Sequence, residues 1–196
     1  MKREFDVLTL QQLDAAGGLA DGYAFEDFSC PLNKEVENFL RQKAIQSSRL
    51  GASVTYLVYD KKSSALLGYF TLLQKPFSIE ETLISKSKRR LIERFAKRED
   101  GRFTAAVYLI AQIGKNFAIE EGCRIQGDEL LALAFEKLYV AKDLVGGKLV
   151  LVERDARSSA LVKFYNKWNF QSWNERYDED DGINYDQMLC ALKSIS

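Results

Sequence analysis

Residues 104–113, TAAVYLIAQI, carry no charge, in a chain where charged residues are 29% of the whole. A run like this is covered on both faces, which is the place of a central strand in a sheet flanked by helices. Its most apolar part, 105–111, is far too short to cross a bilayer. The strand organises what lies around it. Downstream, 127–142 has helical period, with Leu131, Phe135 and Leu138 aligned and Leu130 and Ala134 beside them. Gly146-Gly147 breaks that helix, and 148–153 (KLVLVE) reads as a short buried strand. A strand, helix and strand in this order imply a right-handed parallel crossover. An amphipathic helix over 158–168 and strands over 170–176 and 185–192 follow.

Upstream, Asn33 caps a helix running to about Leu50, with Val36, Phe39, Leu40 and Ala44 on one face. Residues 52–60 and 66–74 are rich in β-branched and aromatic side chains and flank the polar turn 61–64, an antiparallel hairpin. Residues 79–97 read as helical, in two pieces, ended by Glu99-Asp100-Gly101. The fold class is therefore α/β: a single mixed, mostly antiparallel sheet with a central parallel crossover and helices on both faces. The expectation is one domain over 1–196 with a helical insertion at about 76–102.

The chain of 196 residues contains no histidine. That excludes Ser/His/Asp and Cys/His triads, His-ligated zinc and His proton shuttles. Cys30, Cys123 and Cys190 are odd in number and widely spaced, which fits neither a disulfide framework nor a metal site. No metal is expected. The start MKREFDVLTL lacks the apolar core of a signal peptide, so the expected setting is the cytoplasm, with no membrane partner. Lys plus Arg and Asp plus Glu are both 28, so charge steering has to be local.

Two segments carry chemistry. In the first, a loop with Gly122 and Gly127 leads from the central strand into a helix, whose first N–H groups sit at the positive dipole end and suit a phosphate. Arg124 adds a charge of the right sign. The same loop is also an ordinary strand-to-helix connection, since Asp128 and Glu129 can satisfy the helix start themselves. The second segment runs from Asp155 to Phe170, with Phe164-Tyr165 on a short helix before an Asn169-Phe170 step. By spacing alone Tyr165 is a core aromatic aligned with Leu161 and Trp168.

Taken together, strand 105–113, loop 114–126, helix 127–142, strand 149–153 and Phe164-Tyr165…Asn169-Phe170 resemble the GNAT superfamily of acetyl-CoA-dependent N-acetyltransferases. The amino-terminal half is similar to its acetyltransferase-toxin branch and non-toxin bacterial relatives, through Phe28-Ser-Cys30, Val36…Phe39-Leu40…Ala44, the strand 55–60 and Gly68-Tyr-Phe-Thr-Leu72. The likeness runs from about Phe5 to Leu192. The family loop reads Arg/Gln-x-x-Gly-x-Gly/Ala. Here Gly122 stands at the Arg/Gln position and Ile125 at the central glycine, and only Gly127 is kept.

The resemblance implies a GNAT-like sheet with acetyl-CoA wedged between strands 105–113 and 149–153. Backbone groups of Ile113 and Lys115 would hold the pantetheine arm. Those of Gly122, Cys123, Arg124, Ile125, Gln126, Gly127 and Asp128 would hold the pyrophosphate, and Arg124 and Gln126 would compensate for the altered glycines. It implies direct attack of a primary amine on the thioester, with Tyr165 as the acid for the departing thiolate. It implies a homodimer too. The central strand offers no carboxylate as a base. The acceptor is then expected to be an amine of low pKa, an α-amine near 7.7–8.0 rather than a lysine near 10.4.

Lys86, Lys88, Arg89, Arg90, Arg94, Lys97 and Arg98 fall within thirteen residues opposed only by Glu93. They form a solvated helix face or a patch for RNA, and RNA would fit a toxin that acetylates aminoacyl-tRNA. The acidic run 175–181 is a solvated loop or a site for a cationic acceptor. Cys123, beside the anion loop, is a thiol of depressed pKa or simply a small loop residue. The different-class alternative is a non-catalytic GNAT-fold protein that binds a ligand or partner, which the missing central glycine favours.

Overall fold

The computed structural model describes residues 3–19, 25–179 and 182–193. Met1 and Lys2 of the amino-terminal segment, and Asp180 and Asp181 of the acidic run, lie outside the described residues. The strands are β1 (Phe5–Thr9), β2 (Val54–Asp60), β3 (Leu66–Glu80), β4 (Lys97–Glu99), β5 (Arg102–Lys115), β6 (Leu149–Asp155), β7 (Gln171–Asp178) and β8 (Ile183–Ala191). The α-helices are α1 (Leu10–Ala15), α2 (Lys34–Asn38), α3 (Ala44–Arg49), α4 (Lys86–Ile92), α5 (Gly127–Val145) and α6 (Ser159–Lys167). A π-helical turn, Phe39–Lys43, joins α2 to α3. Among the described residues the strands form one sheet in the order β1-β2-β3-β5-β6-β8-β7, with β4 paired to β5.

The β5–β6 pair is parallel, and the pairs β1–β2, β2–β3, β4–β5, β6–β8 and β7–β8 are antiparallel. The mixed, mostly antiparallel α/β sheet is therefore as expected. β5 contains the uncharged run 104–113. Val107, Tyr108, Leu109 and Ile110 are all buried, while residues 102–106 alternate between exposed and buried. Its parallel register, Tyr108↔Val150, Leu109↔Leu151 and Ile110↔Val152, stops there. β5 continues to Lys115 and β6 to Asp155.

The expected helix over 79–97 is corrected. β3 runs on to Glu80, a 3-10 turn follows at Glu81–Leu83, only Lys86–Ile92 is α-helical, and 97–99 is a strand. In Phe77-Ser78-Ile79-Glu80 buried and exposed residues alternate, the period of a strand. Asp100 and Gly101 have φ of 50° and 72°, which the tight β4–β5 hairpin requires. β1 and α1 stood outside the sequence reading. Thr9 caps α1, with Gln12 completing a capping box.

The chain groups into two compact units, 1–73 with 111–137, and 74–110 with 138–196. In the first, Leu10, Phe28, Val36, Leu40, Leu57 and Tyr69 form a buried cluster. Tyr69 packs edge-on to Phe28 and stacks on Phe39, and its hydroxyl donates to the Val36 carbonyl at 2.5 Å. In the second, Phe103, Val107, Leu151, Phe170 and Leu189 are buried. No helix among the described residues is long and apolar enough to cross a membrane.

Candidate active site

The loop that leaves β5 is anchored by Asn116, a residue the sequence reading passed over. It is 4% exposed. Its Oδ1 accepts from the N–H groups of Ser29 and Ala118, both at 3.0 Å, and its Nδ2 donates to the Leu66 carbonyl at 3.0 Å. Its own N–H donates to Leu67 O at 2.8 Å, and Phe117 N–H donates to Ser29 O at 2.7 Å. One amide side chain thus joins the loop to β3 and to the segment before α2. That segment is held in turn by Glu37, which accepts from Cys30 N–H at 2.7 Å and pairs with Lys34 at 2.9 Å. These donors hold the Glu37 carboxyl below the usual range. Only the partners reveal Asn116, because a single Asn after a strand has no sequence signature.

Within the loop, Arg124 serves the chain itself. Nε donates to Ile119 O at 2.8 Å, Nη2 donates to Phe117 O at 2.9 Å, and the guanidinium lies 5.1 Å over the Phe117 ring. Ile125 is fully buried and plugs the loop into the core. Gly122, Cys123 and Gln126 are exposed. Gln126 is the cap of α5: its carbonyl accepts from Leu130 N–H at 3.1 Å and its N–H donates to the Glu129 carboxylate at 2.8 Å. Gly127 and Asp128 begin the 19-residue helix. Of the expected pyrophosphate residues, the structure therefore puts Gly127 and Asp128 at a long helix's first turn, with Gln126 at its cap. It assigns Arg124 and Ile125 to holding the loop. Ile113 and Lys115 lie on β5 past the end of its pairing with β6.

Tyr165 belongs to the second unit and is placed by a helix C-terminus. Phe170 N–H donates to Tyr165 O at 3.2 Å and Asn169 N–H to Asn166 O at 3.0 Å, the bond pair of a Schellman motif. Asn169 takes the left-handed conformation (φ 62°) that the motif requires. The accompanying apolar contact is Tyr165 against Phe170, ring centroids 5.5 Å apart, with Phe164 edge-on at 5.1 Å. The Asn-Phe step after the aromatic pair is thus a helix stop that fixes the tyrosine. Tyr165 is 7% exposed. Burial pushes its phenol up to about 12, and the charge of Arg154 acts in the opposite direction.

The basic segment is partly self-neutralised. Arg89 pairs with Glu81 and Glu93, Arg98 with Glu81, and Lys97 with Glu99. Lys86, Arg90 and Arg94 are exposed. In the acidic run, Asp178 pairs with Arg176 at 2.6 Å and Glu175 accepts from Asn184 at 2.7 Å.

A mixed sheet with this order, a parallel β5–β6 pair, the loop into α5 and the tyrosine-bearing α6 is the GNAT fold. The sequence matches no family model and no curated protein. Among solved structures, the chain is similar to AtaT complexed with acetyl-methionyl-tRNAfMet, at 18% identity and a TM-score of 0.61, covering 93% of this chain and 94% of that one. It is similar to a tyrosine-to-phenylalanine mutant of KacT at 17% identity and a TM-score of 0.62, covering 95% of each chain. AtaTR bound with AcCoA matches at 17% identity and a TM-score of 0.59, covering 97% of this chain and 95% of that one. These neighbours share their fold with this chain.

Proposed function

We propose that the protein is an acetyl-CoA-dependent N-acetyltransferase that moves the acetyl group directly to a primary amine. The observation that carries this reading is Tyr165, a protonated phenol fixed by the Schellman motif after the parallel crossover of a GNAT fold. The first turn of α5 suits the cofactor pyrophosphate: a 19-residue helix has the positive end of its dipole there, and Gly127 brings no side chain over it. Asp128 and Glu129 oppose the anion at that turn. Backbone groups of Ile113 and Lys115 would receive the pantetheine amides. Tyr165 would hydrogen-bond the sulfur as the C–S bond breaks and give it a proton as the thiolate leaves, while the amine loses a proton to water.

The acceptor has to arrive neutral, because residues 105–113 of β5 carry no carboxylate and the chain no histidine. At pH 7.5 roughly a third of an α-amine is neutral against about 0.1% of a lysine amine. The same observation favours a second reading, a toxin acetylating the α-amine of aminoacyl-tRNA, with Lys86, Arg90 and Arg94 toward RNA. That the AtaT neighbour is complexed with acetyl-methionyl-tRNAfMet supports it. Thiol release from acetyl-CoA, measured with free α-amines, lysine peptides and aminoacyl-tRNA in parallel, tests both. α-Amine or aminoacyl-tRNA turnover that Tyr165→Phe lowers about 100-fold is expected. Faster transfer to lysine peptides would refute the acceptor assignment, and no release with any amine would refute the enzyme.

A further inference from the structure

Arg154 on β6 engages all three of its guanidinium nitrogens, and the proposed reaction does not yet involve it. It is 7% exposed and faces Asp186, its register partner on β8, itself 4% exposed. Nη2 donates to Asp186 Oδ2 at 2.5 Å, and Ser172 on β7 donates to the same oxygen. Nη1 donates to three carbonyls in succession, Asp155 at 2.9 Å, Ala156 at 3.3 Å and Ser158 at 3.2 Å. Nε lies 3.3 Å from Met188 Sδ. Asp155, the other carboxylate at this turn, is taken up by Arg157.

The three carbonyls form the entrance to α6. That helix is weakly held by its own cap. Ser158 Oγ stands 3.5 Å from Leu161 N–H, and Val162 N–H stands 3.4 Å from Ser158 O. A planar fork with five donors can grip a carboxylate and a carbonyl turn at once, which lysine cannot do. Buried ion pairs are also weak sources of stability compared with an apolar pair of the same volume. The network is therefore better explained by what it positions than by stability.

We propose that Arg154 is a positioning residue for Tyr165, gripping the three carbonyls that lead into α6, the helix that carries the tyrosine. Nη2 holds Asp186 while Nη1 takes the carbonyls, so one guanidinium joins β8 to the entrance of α6. Phe164 and Phe170 pack against the tyrosine ring itself. This inference rests on the proposed function only in making Tyr165 the acid.

The test uses the full chain carrying 3-fluorotyrosine, with the Tyr165 fluorine resonance assigned by its loss in Tyr165→Phe. Arg154→Lys keeps the charge but loses the carbonyl grip. The Tyr165 resonance is then expected to shift or broaden, while kcat falls about tenfold or more and KM for acetyl-CoA stays within about twofold. Replacing both partners, Arg154→Met with Asp186→Leu, keeps an apolar fill, loses the same grip and is expected to act alike. In a Tyr165→Phe background neither change should lower kcat further. An unmoved Tyr165 resonance in Arg154→Lys, or an equal loss of kcat without Tyr165, overturns the proposal. If the apolar pair does not fold, Arg154→Lys and its cycle with Tyr165→Phe decide alone. Absence of turnover in the unaltered protein would refute the proposed function and leave the fluorine resonance to decide this inference.

Discussion

Asn116→Ala removes three side-chain hydrogen bonds, to Ser29 N–H, Ala118 N–H and Leu66 O, each 3.0 Å long. At a net value of about 1 kcal/mol for each, the loss is about 3 kcal/mol. Alanine cannot replace any of the three, and the 4% exposure of the site leaves little room for water to do so. Unfolding entropy near 2.1 cal/mol/K per residue gives about 0.4 kcal/mol/K for a chain of this size, so Tm falls by about 7 °C. Asn116→Asp keeps the acceptor and loses the donor to Leu66 O, and it is expected to fall between. Differential scanning calorimetry of the three proteins makes the comparison, with acetyl-CoA titrations alongside. Because Asn116 sets the exit of the loop, the alanine variant should also bind acetyl-CoA more weakly. A Tm loss below about 2 °C would refute the latch, showing that the loop finds its place without this amide.

Gly68→Ala is expected to destabilise by about 1–3 kcal/mol, since a Cβ there would stand 2.6 Å from the Gly114 carbonyl, backbone that cannot swing aside; urea unfolding reads it. Glu129→Gln keeps a cap for Gln126 N–H and removes a charge from the start of α5, so affinity for acetyl-CoA should rise, by up to about fivefold at low salt in calorimetric titration. Stability should fall as pH rises from 10 toward 12. Below pH 10 the Tyr165 phenol is protonated in both states; above it the unfolded chain releases a proton that the folded chain keeps up to about 12, costing about 1.4 kcal/mol per pH unit. Burial raises Tyr69 and Cys190 too, adding to the same slope, and Tyr165→Phe should reduce it in chemical-denaturation curves taken across this window.

The sheet was legible where burial follows from composition. The uncharged stretch 104–113 could only be central, and β2, β6, β8, α5 and α6 fall within a few residues of their expected bounds. Residues 76–83 misled because Phe77 and Ile79 are two apart, a spacing too short to separate a strand extension from the start of a helix. Tyr165 and the Asn169-Phe170 stop were readable as a pattern, and the structure supplies its cause, the Schellman geometry. Arg124 drew attention by its charge, and Ile125 by its place in the resembled loop. The partners that hold their side chains, the carbonyls of Phe117 and Ile119 and the core, cannot be read in the sequence. Asn116 and Arg154 were invisible too: Asn116 satisfies backbone groups of the distant Ser29 and Leu66, and Arg154 joins the distant Asp186 to carbonyls of its own turn, and neither pattern leaves a periodic trace.

The most direct test of the account is a thermal melt of the purified chain with and without acetyl-CoA. A ligand bound by the folded state alone stabilises it by RT ln(1 + [L]/Kd), about 2.7 kcal/mol at one hundred times Kd. Spread over roughly 0.4 kcal/mol/K, that is a rise of about 6–7 °C. A saturable upward shift with acetyl-CoA, kept in Tyr165→Phe, is the predicted result. No shift at millimolar acetyl-CoA would contradict the account and leave a GNAT fold that does not use this cofactor.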